Sequence, residues 1–108
     1  MSFHVEELCI ELSEALYPLM GRIKARDKSL EGQLRRAAVS AGLNCAEASG
    51  SDPGNRRARL FTALGSAAEA RHALRQAVAW RLLSASEAEL AMKLVNRIMA
   101  ILRGMTRR

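Results

Sequence analysis

Aromatic side chains are almost missing from this chain: two Phe, one Tyr and one Trp make up 4% of 108 residues. So few stacking platforms argue against base-specific reading of single-stranded nucleic acid. β-branched residues are scarce too, which weighs against a sheet. Cysteine is limited to Cys9 and Cys45, both inside helical patterns and without CxxC or Cys/His spacing. Neither a disulfide framework nor a zinc site is signalled, and both are expected as buried thiols. No run approaches the ~20 apolar residues that span a bilayer. The N-terminus opens with Glu6, Glu7, Glu11 and Glu14 instead of a basic segment before an apolar one. A cytoplasmic protein with no membrane partner is expected.

What is present is helical. Nineteen Ala and fifteen Leu, against two Pro, give almost a third of the chain to strong helix formers. The expected fold is all-α, one domain over residues 1–108. A chain of this length removes only about two-thirds of its surface from water on folding, so self-association would add stability. The net charge is +6, with Arg outnumbering Lys fourteen to three. Residues 1–20 are acidic, so residues 21–108 carry ten net positive charges. Planar guanidinium forks suit carboxylates and phosphates.

Apolar spacing predicts four helices. The first runs from Phe3 to about Arg26 with Ser2 as a candidate cap, and Pro18 inside it predicts a kink or local break near Ala15 to Pro18. The second runs from about Ser29 to Ala48, ahead of the dense turn cluster Ser49 to Asn55. The third runs from about Asn55 to Leu83, capped by Asp52 or Asn55. Ser84 with Glu87 and Ser86 with Glu89 both match a capping box, so the fourth begins near Ser86. Short connections then give an antiparallel up-down-up-down four-helix bundle. Helix four carries two apolar seams. One passes through Leu90 or Ala91, Leu94, Ile98, Ile101 and Met105; the other, Met92, Val95, Met99 and Leu102, is the expected subunit interface.

Three blocks then become informative: Gln33-Leu34-Arg35-Arg36-Ala37-Ala38-Val39-Ser40, Asn44-Cys45-Ala46-Glu47-Ala48-Ser49-Gly50 and Leu60-Phe61-Thr62-Ala63-Leu64-Gly65-Ser66. Together they resemble the four-helix bundle protein family, which includes proteins encoded in ribosomal-RNA intervening sequences. That resemblance implies an antiparallel bundle that forms ring-like homopentamers and has no established enzymatic activity. A more distant likeness is to the accessory variability proteins of diversity-generating retroelements. Those are basic pentamers that bind nucleic acid and a reverse transcriptase.

Two basic clusters are candidate nucleic-acid contacts. Arg56, Arg57 and Arg59 open helix three, where the macrodipole disfavours cations; either a bound phosphate or the glutamates of helix one must offset that. Arg22, Lys24, Arg26 and Lys28 crowd the other end against Asp27 alone. Gln33, Arg36, Ser40, Asn44 and Glu47 form a polar seam along one flank of helix two, either a ligand surface or a set of register-fixing bonds. Counting outward from the Asp52 turn sets Glu47 level with Arg57, so a bridge between them is expected. Glu69 and His72 match one Glu-x-x-His motif, but di-iron bundles need two, so neither metal nor cofactor is expected. Arg71 stands close to an apolar stripe and is expected to snorkel or to pair across a subunit boundary.

The expected function is non-enzymatic. A homo-oligomeric basic scaffold would contact RNA or DNA through its backbone, with little sequence preference. The alternative is a structural or protein-interaction module whose charge serves only solubility.

Overall fold

The computed structural model describes residues 4–107 and contains α1 (His4–Arg26), α2 (Lys28–Ser49), α3 (Pro53–Ala79) and α4 (Ala85–Thr106). Among the described residues there is no strand. The Ser2 cap and the start at Phe3 lie outside the described residues. Each helix packs against its two chain neighbours, and α4 closes the ring on α1, giving the antiparallel bundle. Its long axis is 42 Å, close to the length of α3 at about 1.5 Å per residue.

Side-chain caps set the helix starts. Asp27 accepts the Leu30 N–H at 2.9 Å and Asp52 accepts that of Asn55 at 3.0 Å. At α4 the cap is Ser84: its hydroxyl accepts the Glu87 N–H at 3.0 Å while the Glu87 carboxylate accepts the Ser84 N–H at 2.8 Å. The helix therefore opens at Ala85, just before the expected Ser86. Helix three stops at Ala79 and not at Leu83. The Arg81 N–H bonds the Val78 carbonyl at 3.0 Å and the Leu82 N–H the Ala77 carbonyl at 2.9 Å. That pairing is a Schellman motif, with Arg81 in the left-handed position at φ 63°. Leucines 82 and 83 are buried because they pack under this turn, so their apolar spacing mimicked a longer helix. Pro18 does not break α1, which is continuous through it. Both Pro18 and Glu14, whose carbonyl loses its donor, face solvent.

The core is built from leucine, isoleucine and alanine. Leu8, Leu12 and Ile23 of α1 share one buried cluster with Leu34 of α2, Leu74 of α3 and Ile98 of α4, each contributing about 1.5–3 kcal/mol on burial. The most extensive helix pair is α2 with α3. Its buried surfaces are lined by Ala37, Ala41 and Ala48 on one side and Ala63, Ala67 and Ala70 on the other. Small side chains let two helix backbones approach closely. Cys9 and Cys45 are buried free thiols joining α1 to α2. Their mutual hydrogen bond, then burial, pushes the Cys9 thiol far above the ordinary thiol range.

One expectation about α4 is overturned. Val95, Met99 and Leu102 are 1%, 2% and 0% exposed within this single chain, and Met92 is half-buried, so the second seam belongs to the bundle's own core. A helix in a four-cornered bundle packs against two neighbours, so its apolar arc spans both seams. Leu94, Ile101 and Met105 are half-buried at its edge, and Leu90 is exposed.

Candidate nucleic-acid interface

At the end where α2 passes to α3, the three arginines of the first α3 turns each find a protein partner. Arg56 donates to the Ser51 carbonyl at 3.1 Å and to the Ala48 carbonyl at 3.4 Å. Arg57 donates to the Thr106 carbonyl at 3.0 Å and lies 4.9 Å from the Phe61 ring centroid. Arg59 pairs with Glu47 at 3.2 Å. The bridge expected between Glu47 and Arg57 is thus made by Arg59 instead. In an antiparallel bundle the C-termini of α2 and α4 share this end, and their partly negative carbonyls meet the cations that α3's own dipole disfavours. Neither a bound anion nor the α1 glutamates are needed to explain these arginines. Arg56 and Arg59 reach toward α2 and its end, Arg57 toward the end of α4.

The opposite end is different. Arg22 pairs with Glu87 across α1 and α4. Two bonds act on Glu87, the Ser84 N–H first and the Arg22 guanidinium second, and they hold its carboxyl from an ordinary 4.5 down to about 2. Lys24, Arg26 and Lys28 are exposed and make no hydrogen bond or ion pair among the described residues. Asp27 between them is committed to capping α2. Arg81, at the α3–α4 turn of this same end, is likewise exposed and unpaired among the described residues.

The polar seam of α2 becomes the wall of the α2–α3 groove. Gln33, Arg36 and Ser40 line an open cavity of about 870 Å³, and Arg36, Ser40, Asn44 and Glu47 line its continuation of about 580 Å³. Ser40 and Ser66 share a hydroxyl hydrogen bond of 2.8 Å across the two helices. Asn44 Nδ2 donates to the Ser40 carbonyl at 2.9 Å and to its hydroxyl at 3.3 Å. Those bonds fix register at mid-groove. Arg36 has no acidic partner among the described residues, and its guanidinium folds back over Gly32, where a Cβ would stand 3.1 Å from Nη1.

Sequence reasoning missed what α3 adds to this groove. His72, Gln76 and Trp80 line it, and Gln76 Nε2 lies 3.1 Å from His72 Nε2. Their spacing of four residues is the only signal that could have gathered them onto one helical face. Glu69 lines the groove without a metal partner set; among the described residues no group of three His, Cys, Asp or Glu side chains could hold a metal ion. Arg71 finds its partner within the chain and not across a subunit boundary: it bonds Asn96 at 3.1 Å between α3 and α4. Among the described residues no helix is long and apolar enough to cross a membrane.

A family model described as "23S rRNA-intervening sequence protein" matches residues 2–104. A solved structure from Bacteroides thetaiotaomicron, described as a protein with unknown function from the S23 ribosomal protein family, superposes with a TM-score of 0.87. It shares 19% identity over 96% of this chain and 99% of its own. A search of curated proteins gives no match.

Proposed function

This chain belongs to the 23S rRNA-intervening sequence protein family, and from that premise we propose that it is a non-catalytic, self-associating scaffold that holds RNA or DNA by the phosphate backbone. The observation that carries the reading is the unpaired cationic end formed by Lys24, Arg26 and Lys28, with Arg81 beside it. Cations without carboxylate partners are free to release counterions on meeting a polyanion. The family's name favours RNA as that polyanion, and a cytoplasmic setting follows from the same link.

Self-association would multiply this field, since each added copy brings its own cationic end. With Val95, Met99 and Leu102 enclosed, the exposed large apolar side chains among the described residues are Ile10 and Tyr17 on α1, Val39 and Leu43 on α2, Phe61 on α3, Trp80 at its end and Leu90 on α4, and a subunit contact would draw on these. A five-membered ring is the assembly that the resemblance favours. Light scattering tests it directly: a mass several times 11.8 kDa is expected, and a monomer at micromolar concentration would contradict it. Binding is tested by fluorescence anisotropy with mixed-sequence RNA and DNA at rising salt. Log affinity should fall linearly with log salt, and binding absent at low salt, or indifferent to salt, would overturn the reading.

A further inference from the structure

The α2–α3 groove ends on Trp80, which is 70% exposed although it is the largest apolar side chain in the sequence. Its backbone is not loose. Trp80 is the C-cap of α3, its N–H bonds the Gln76 carbonyl at 2.9 Å, and the Schellman turn begins at the next residue. The indole is therefore a platform on a fixed stalk, left in water beside the buried Leu82 and Leu83.

The groove running from that platform has the polar groups a base requires. Gln33 and Gln76 present amides that both donate and accept, and the Gln33 amide has no bond among the described residues. Helix register places the charges. Ser40 stands opposite Ser66, so in antiparallel helices Trp80 lies level with the α1–α2 connection, where Arg26 and Lys28 stand unpaired. Arg81 follows Trp80 directly. Glu69 lies eleven residues before Trp80 on α3, about 16 Å along the helix. The platform end is thus cationic apart from Asp27, which is committed to capping α2, and the groove's carboxylates, Glu69 and Glu47, lie deeper.

We infer that this groove takes one unpaired nucleobase of a bound strand, stacked on Trp80 with its phosphates among Arg26, Lys28 and Arg81. The inference rests on the nucleic-acid reading and deepens it. Stacking on an indole tolerates any base, because every base has a π face. A single platform thus adds a preference for unpaired over paired strands without conferring sequence specificity. Arg36, held inside the groove by the room at Gly32, meets a neighbouring phosphate as the strand continues.

Trp80 is the only tryptophan in the chain, so its fluorescence reports on this site alone. The full-length protein is titrated with an eight-residue oligoadenylate, followed at once by anisotropy of a labelled strand and by Trp80 emission. Quenching is expected to track binding, and inorganic polyphosphate should displace the strand without quenching. Trp80→Ala should weaken oligoadenylate binding roughly five- to hundredfold, with the thermal midpoint unchanged because the side chain is exposed. Trp80→Phe, which keeps an aromatic face, should stay within about threefold of wild type. Binding that leaves the emission unmoved and is indifferent to Trp80→Ala would overturn the groove assignment while leaving the backbone reading intact. No binding at low salt by anisotropy would overturn both.

Discussion

Ser66 is only 7% exposed, and its hydroxyl meets Ser40 inside the most extensive helix pair of the molecule. Ser66→Ala should cost about 0.5–1.5 kcal/mol, since it withdraws one partner and leaves the Ser40 hydroxyl with Asn44 alone. Ser40→Ala combined with Ser66→Ala should cost less than the two single changes added together, because the two residues share one bond. Urea denaturation of the three variants checks this, and strictly additive losses would show that the pair does not act as a unit. At this scale the sequence was partly legible. Ser40 and Asn44 could be placed on one flank of α2 by helical spacing, and so could the possibility that they fix register. Their partner could not, because Ser66 lies 26 residues away and nothing local distinguishes it from other small residues of α3. The same holds for Glu47: a residue count from the turn led to Arg57, whereas the Thr106 carbonyl and the Phe61 ring draw that guanidinium toward α4. Arg59 is left to take the carboxylate.

Helix ends show how local signals compete. The two overlapping capping boxes before α4 are equivalent as sequence, and tertiary contact separates them: Glu87 of the first box also meets Arg22 of α1. Its carboxyl sits at about 2 in the folded chain against an ordinary 4.5. A depressed carboxyl stabilises the fold above its unfolded value and loses that contribution as pH falls toward the folded value. The stability of wild type should therefore decline more steeply than that of Glu87→Gln between about pH 4.5 and about pH 2. Thermal midpoints across that window measure the difference, and identical slopes would contradict the assignment. The α3 terminus was misread for a related reason. Leu82 and Leu83 continue the apolar count, yet Arg81 turns the chain in a left-handed residue where glycine is the usual choice. No rule of spacing signals that reversal.

At the scale of the molecule, composition led to an all-α fold, apolar periodicity to its four helices in order, and their short connections to the antiparallel bundle. Periodicity did not reveal that the Val95, Met99 and Leu102 seam of α4 turns inward, because the number of neighbours a helix meets is a property of the assembled bundle. It also treated two basic clusters alike. Topology separates them: one end gathers the α3 arginines with the carbonyl-rich termini of α2 and α4, while the other leaves Lys24, Arg26 and Lys28 unmatched. The central claim is that nucleic acid is held at the unmatched end. Salt-dependent RNA anisotropy on two triple alanine variants tests it most directly. Changing Lys24, Arg26 and Lys28 should weaken binding strongly and lower the salt slope by about one for each phosphate no longer neutralised. Changing Arg56, Arg57 and Arg59 should instead lower stability and leave the slope of the folded protein as it was. The reverse pattern, a slope that drops only with the α3 arginines, would contradict the account.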